Sequence, residues 1–418
     1  MLAKLPTSVV AVTLLSAQAL AQPIGLTQAE LEALHPHIVP MHATGPGSGM
    51  DDLAFLDEFV AGARVVALGE PTHGAHEVFE LKHRIVRYLI EEHGFTAIAM
   101  EANLPESRSV DGFIKGDGDD AIAALSELYE IWNTRGMLEL VEWLRRHNET
   151  STHPVSLHGI DVQSPWSAAR EVLEYLEKAR PDLYAIAQGL YAPALALEHD
   201  WNPAGLARVA PTLRRDAGRA LDLLERSIDG GHAASGDEAW VLVNARAVVQ
   251  LAESHYDNLP SRDQSMAENA LRLLEDPDAR IVLWAHNSHV IKAEPSRHDS
   301  APMGAYLARA LGDAYRPIGI AFSEGESRAV DPDTGTWVSY QLPLMPGTMG
   351  AELGRLGVPM FFLDIRGLRN VPDAAWLSRE QVFRWAGAAT RSTDHYLVPA
   401  EAFDGLVFFS RISPAQTP

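Results

Sequence analysis

No feature constrains the chain more than the stretch RVVALGEPTHGAHEVFELKHR, from Arg64 to Arg84. Val65 to Leu68 is a short apolar run of the kind that forms a buried strand. Gly69 to Gly74 breaks the period, and apolar residues return at helical spacing at Val78, Leu81, Ile85 and Leu89. A strand therefore hands over to a helix within a few residues, with Glu70 and His73 at the handover. In open α/β sheets ligands bind outside the carboxyl ends of the strands, and a helix N-terminus adds partial positive charge there. A polar loop with no chemical role fits the same pattern, so the other strand ends must decide.

Those ends carry ionisable residues too. Thr96 to Met100 reads as a strand closing on Glu101, Val155 to Ile160 as one closing on Asp161, and Ile281 to Ala285 as one followed by His286 and His289. Between them, residues 119–148 read as two helices, the second with Met137, Leu140, Val141 and Leu144 on one face. The alternation continues with a helix near 303–311, a strand near 317–322 and an edge hairpin around 336–341. Met360 to Leu363 closes on Asp364, and Leu406 to Phe409 is the last strand. Strands alternating with helices predict an α/β fold with a largely parallel central sheet flanked by helices.

One interval does not fit a simple crossover. From Asp161 to Ile281 the chain is far longer than a strand–helix–strand connection needs. Trp166, Ala169, Leu173 and Leu176 recur at helical spacing, as do Leu206, Val209, Leu213, Ala217 and Leu224, and Trp240 to Ala252 is apolar on most faces. We read residues 165–270 as an inserted helical lobe between the two parts of the core, 22–164 and 271–418. Gln22 to Met50 reads as a lead-in helix followed by a loop. Its Gly45-Pro-Gly-Ser-Gly49 is not a dinucleotide fingerprint, because it follows no strand and lacks the third glycine at the right offset.

The N-terminal residues have another character. Lys4, the apolar run Val9 to Leu15 and Ala19-Leu20-Ala21 follow the order of a secretory leader, which predicts cleavage after Ala21 and a periplasmic or secreted protein. No later apolar run is long enough for a membrane span. The chain has no cysteine, which excludes disulfides, a thiolate nucleophile and cysteine-bound zinc. Its formal net charge of −22 repels phosphate backbones and anionic lipid, so nucleic acid is excluded as a partner and a neutral or cationic small molecule is favoured. Nothing in the pattern sets the oligomeric state.

In a parallel sheet Glu70 with His73, Glu101, Asp161, and His286 with His289 all reach one edge. Histidine suits proton transfer near neutrality, and a neighbouring carboxylate fixes its tautomer and keeps it basic. A histidine base activating water, with a second pair of imidazoles donating to a carbonyl oxygen, is the simplest chemistry. Glu101 and Asp161 also fit the commoner role of helix N-caps. There is no G-x-S-x-G elbow, Gly325-Glu-Ser-Arg-Ala329 being the nearest approach, no Walker loop and no H-E-x-x-H helix. A metal-dependent hydrolase using the same His and Glu set stays open, as does a non-catalytic small-ligand-binding protein.

An ordered set of stretches adds to this. Gly69-Glu-Pro-Thr-His-Gly74, Glu80-Leu-Lys-His-Arg84, Gly94-Phe-Thr-Ala-Ile-Ala-Met-Glu-Ala102, Trp143-Leu-Arg-Arg-His-Asn148, Gly159-Ile-Asp-Val-Gln163, Arg262-Asp263 with Met266-Ala-Glu-Asn269, and Trp284-Ala-His-Asn-Ser-His289 resemble the erythromycin esterase family, in order from about residue 64 to 413. The resemblance implies hydrolysis of a carboxylic ester or macrolactone without a covalent acyl-enzyme, on a fold whose helical lobe covers the cleft; the leading expectation is a metal-independent esterase with no cofactor. It implies that His73 is the base for water, that Glu70 supports it, and that Glu101, His286 and His289 complete the cleft. Lys82 falls where some members carry a basic residue, arginine in certain of them; a lysine there is a point charge instead of a planar fork. Lys82, Arg84 and Asp161 are the substrate-contacting candidates. In the expected mechanism His286 and His289 polarise the carbonyl that His73-activated water attacks.

Overall fold

The computed structural model describes residues 25–228, 236–257, 261–293 and 300–418, so the expected leader at 1–21 lies outside the described residues. The strands are β1 (Ile38–Pro40), β2 (Val65–Leu68), β3 (Ala97–Asn103), β4 (Ser156–Asp161), β5 (Ile281–Trp284), β6 (Tyr315–Val330), β7 (Trp337–Leu342), β8 (Met360–Asp364), β9 (Gln381–Ala386), β10 (Ser392–Leu397) and β11 (Gly405–Ile412). The main sheet runs β1-β8-β11-β6-β2-β5-β3-β4, with β7 paired to the outer part of β6. From β4 to β11 every neighbour is parallel, and β8 and β1 add an antiparallel edge. The central strands β2 and β5 are buried at every residue, as a parallel sheet covered on both faces requires. A mixed α/β fold with a mostly parallel sheet between helices is therefore what the chain adopts.

The register fixes the site. Leu68 of β2 and Met100 of β3 both pair with Trp284 of β5, so Gly69, Glu101 and Ala285 follow the last paired residues of these three strands at one level. The helix α1 (His76–His93) follows β2 and is buried almost all round, from Val78 to Ile90, before Gly94 closes it in the left-handed conformation that glycine accepts at φ 65°. A short helix, α2 (Ser107–Ile114), precedes α3 (Arg135–Thr150), which Thr134 caps by accepting from the Met137 N–H at 3.3 Å. Met137, Leu140, Val141 and Leu144 of α3 are buried on one face with α1.

Four long helices, α4 (Pro165–Ala179), α5 (Pro181–Ala196), α6 (Pro203–Ile228) and α7 (Asp237–Asp257), share a core of their own built on Val172, Leu176, Tyr191, Leu213 and Val248. The next helix, α8 (Arg262–Arg272), packs Met266, Ala267 and Ala270 on the sheet beside Ile160 and Leu283, on the face opposite α1. The helix α9 (Met303–Leu311) and the separate hairpin β9–β10 join it on that face through Met303, Leu307, Phe383 and Trp385.

The structure adds elements that the hydropathy pattern hides. Between residues 119 and 148 there is a short helix, Ala121–Ser126, and a single 3₁₀ turn, Glu130–Trp132, before α3. The strand near 317–322 extends to Val330 because its outer half alternates polar and buried residues and pairs with β7. β9 has no unbroken apolar run, since Gln381 and Arg384 interrupt it, yet all six residues are buried.

Candidate active site

The loop after β2 is held on every side. Gly69 donates to the Ile318 carbonyl at 2.9 Å, and a Cβ there would stand 2.2 Å from Asn287 Oδ1. A Cβ on Gly74 would stand 1.8 Å from the Arg328 carbonyl oxygen. These two glycines are therefore set by close backbone approach. The Pro71 carbonyl accepts from Ala386 of β9 at 2.7 Å, and the Gly74 carbonyl from Arg328 at 2.9 Å and Ala415 at 2.8 Å. The loop is thus braced by residues from the far end of the chain.

Within it Glu70 is fully buried. Its Oε1 accepts from His73 Nδ1 at 2.7 Å, and its Oε2 from Lys82 Nζ at 2.7 Å and from Trp284 Nε1 at 3.0 Å. Lys82 lies nearly two turns into α1, fully buried, with its ammonium 4.1 Å from the centre of the Trp284 ring. Burial alone would raise the Glu70 pKa, but the Lys82 ammonium and the His73 bond hold it below the ordinary carboxylate value. Burial pushes Lys82 down to about 8, against the pull of Glu70. With the His73 Nδ1 proton committed to Glu70, its Nε2 is the ring nitrogen left to act. The His73 ring stands edge-on to Trp132, centroids 5.4 Å apart, and 5.2 Å from the His286 ring.

His286 caps the short helix Asn287–Val290. Its Nδ1 is 3.2 Å from the Ser288 N–H and 2.8 Å from Ser288 Oγ, so it acts as an acceptor and the ring proton sits on Nε2. That Nε2 is buried and has no partner among the described residues. Burial, with His73 nearby, pushes the His286 pKa down to about 3, so the ring is neutral and carries one unpaired N–H.

The third group centres on Glu101. Its Oε2 accepts from the His286 backbone N–H at 2.8 Å, and its Oε1 lies 3.1 Å from Arg262 Nη2 and 3.2 Å from His289 Nε2. The Glu101 carbonyl accepts from Trp132 Nε1 at 3.1 Å. The other nitrogen of His289, Nδ1, is 2.7 Å from Asp263 Oδ1. Burial opposes the charge on His289, yet the Glu101 and Asp263 carboxylates raise its pKa to about 10. Glu101 itself, despite burial, is held well below the ordinary value by His289, His73 and Arg262.

The structure brings Glu70, His73, Glu101, His286 and His289 together at the carboxyl edge of β2, β3 and β5. Lys82 belongs to this group through Glu70 and has no open face. Asp161 is fully buried and binds Arg262 in a two-point contact, 2.9 Å to Nε and 2.7 Å to Nη2. Arg84 stands apart: it is buried against the Ala43 and Gly49 carbonyls and Asp52, tying α1 to the lead-in loop. Helix positions two apart point to nearly opposite sides, about 200° of rotation, so Arg84 cannot share the direction of Lys82. Arg262, Asp263, Trp132 and Trp284 are constituents that the strand-end pattern does not single out; the pair Arg262-Asp263, placed where the chain re-enters the sheet, was the available signal.

A parallel α/β sheet with buried acid–imidazole pairs at its carboxyl edge defines the class of protein. The chain belongs to the erythromycin esterase family: residues 90–412 match the model of that family, described as erythromycin esterase, and membership points to a hydrolase. The match begins beyond Glu70, His73 and Lys82, whose grouping rests on geometry. Erythromycin esterase type II of Escherichia coli is 26% identical over 379 residues, covering 80% of this chain and 88% of that protein. A putative hydrolase of Bacillus subtilis (strain 168) is 22% identical over 416 residues, 91% of this chain and 90% of that one. The crystal structure of a Bacillus cereus protein superposes with a TM-score of 0.82 at 26% identity, covering 93% of this chain and 98% of that chain. A mutant erythromycin esterase in its open conformation shares the fold at a TM-score of 0.64 and 18% identity, over 90% of this chain and 97% of that one.

Proposed function

We propose that the protein hydrolyses a carboxylic ester or lactone, with macrolide lactones as the first substrates to try, using water activated by His73. One observation carries this: His73, with its Nδ1 committed to Glu70 at 2.7 Å, stands 5.2 Å ring to ring from His286, whose buried Nε2 has no partner among the described residues. Water gives a proton to His73 Nε2 while its oxygen bonds to the carbonyl carbon. The negative charge on the carbonyl oxygen meets the His286 Nε2–H. The carbon–oxygen bond to the alcohol then breaks, and the proton on His73 passes to the leaving oxygen, giving acid and alcohol and restoring the base. Lys82 and Trp284 fix the second oxygen of Glu70, so the carboxylate turns only its other oxygen to His73. His289 has a carboxylate at each nitrogen and is left no donor for substrate, so the carbonyl contact falls to His286 alone. The names of the relatives, two erythromycin esterases among them, support the substrate class.

The test is incubation of the purified protein with a panel of macrolides and simple esters, read by mass spectrometry. Addition of one water is expected. Binding across the panel without any water addition would replace hydrolysis by ligand capture. Chelator treatment is expected to leave the rate unchanged, and a stoichiometric metal whose removal stops turnover would replace the His73 base mechanism. We also propose export: N-terminal sequencing of the periplasmic or secreted protein is expected to start at Gln22, and a cell-retained chain starting at Met1 would overturn it.

A further inference from the structure

Asp263 is an acid of this edge to which the proposed hydrolysis gives no task. It lies in the first turn of α8, and its Oδ1 accepts from His289 Nδ1 at 2.7 Å and from the Met303 N–H, where α9 begins, at 2.8 Å. Across the same imidazole, Nε2 is 3.2 Å from Glu101 Oε1, and the other oxygen of Glu101 holds the His286 backbone N–H at 2.8 Å. Arg262, next to Asp263 and oriented by Asp161, adds a contact of 3.1 Å to Glu101 Oε1. A continuous chain of contacts therefore runs from α8 through His289 and Glu101 to the turn that carries His286.

The contacts around His289 bear on its protonation state. His289 Nε2 also lies 3.3 Å from Arg262 Nη1, so a neutral ring protonated on Nδ1 would accept from the guanidinium, but it would then set its lone pair against Glu101 Oε1 at 3.2 Å; the imidazolium donates to both carboxylates. We propose that Asp263 is a positioning residue: it holds His289 as a charged clamp on Glu101, and Glu101 in turn fixes the backbone, and with it the ring, of His286. The groups facing His289 are Glu101 from β3, Asp263 and Arg262 from α8, and His286 from its own turn. Arg262 disfavours the charge, but two carboxylates in direct contact outweigh one guanidinium that is itself bound by Asp161 and Glu101. A clamp of fixed charge has a mechanical use: it stays closed while His73 takes up and returns a proton within each turnover.

The kinetic arm of the test rests on the proposed hydrolysis; the spectroscopic arm does not. Asp263→Asn keeps the oxygen that accepts from Met303 and removes the charge. By histidine-selective NMR on the full chain, with resonances assigned through His289→Gln and His286→Gln, wild-type His289 is expected to stay protonated through neutral pH. In Asp263→Asn it should titrate about one to three pH units lower, the shift that loss of one contacting opposite charge produces. The His286 ring signals should move as well. On any ester the protein turns over, kcat should fall on the order of tenfold with KM little changed, and Asp263→Glu should restore part of it. A His289 titration left in place by Asp263→Asn, or an unmoved His286 signal, overturns the proposal whether or not an ester substrate has been found. Should Asp263→Asn fail to fold by circular dichroism, His289→Gln provides the same His286 readout from the other end of the clamp, and an unmoved signal there is equally decisive.

Discussion

Two carboxylate–imidazole pairs stand a few ångströms apart at the edge of one sheet, and they are built for opposite ends. Glu70 gives one oxygen to His73 and the other to a buried cation, Lys82, and among the described residues no second acid is in hydrogen-bond contact with His73. Glu101 meets an imidazole that already has another carboxylate, Asp263, on its far side. The first arrangement leaves a ring with one committed and one working nitrogen. The second leaves a ring with no working nitrogen and a charge that persists to about pH 10. The difference lies in the number of acceptors around the ring. One acceptor orients a base, and two make a fixed cation.

Removing the working ring should have the largest effect. His73→Ala is expected to lower kcat by on the order of 10²-fold or more while circular dichroism reports a native fold, because the general base is lost and the loop stays held by its backbone contacts. A variant that keeps near-wild-type turnover would move the base elsewhere and erase the contrast between the pairs. Next comes His286→Phe, which keeps a ring between His73 and Trp385 but removes the unpaired N–H. The loss of a donor to the developing oxyanion should cost on the order of 10²-fold in kcat, with little change in KM. An effect confined to KM would make His286 a binding group and leave charge stabilisation to another residue. The Asp263→Asn variant ranks below both, since it acts through two intermediates.

How much of this edge can be read from the sequence depends on how local the contacts are. Glu70 and His73 are three residues apart at a break between two hydropathy periods, so both their neighbourhood and their exit from the sheet are legible. Glu101, Asp161 and His286 are legible as strand ends, but their partners are not. Glu101 and the His286 N–H are 185 positions apart, and Asp161 and Arg262 are 101 apart. Those pairings depend on β5 entering the sheet between β2 and β3, an order that hydropathy does not encode. The wall behind His286 is hidden for a different reason. Trp385 sits on β9, a fully buried strand whose Gln381 and Arg384 break the apolar run, with Arg384 donating from Nη1 to the Pro343 carbonyl. Arg84 marks the limit in the other direction: two positions from Lys82 in the chain, it turns to a separate loop because a helix rotates its side chains apart.

The smallest expected effect probes the cation that only the Glu70 pair has. Burial lowers the Lys82 pKa to about 8, so its ammonium is present below that pH and lost above it. As the pH rises through about 8, Glu70 Oε2 keeps the Trp284 N–H but loses its counter-ion, and the buried carboxylate is left to draw on the His73 proton instead. The base is then misoriented, and kcat should show a falling limb near pH 8. His289 contributes no limb there, since its charge lasts to about pH 10. Lys82→Arg separates the two pairs with one substitution, because a guanidinium stays charged throughout this range. Its kcat at pH 7 should change by no more than a few fold, whereas the falling limb should move to higher pH. The pH profile of kcat for both proteins reads this directly. A limb that stays near pH 8 in the arginine variant would belong to another group, and the buried cation would then be a packing partner of Glu70 with no part in holding its charge.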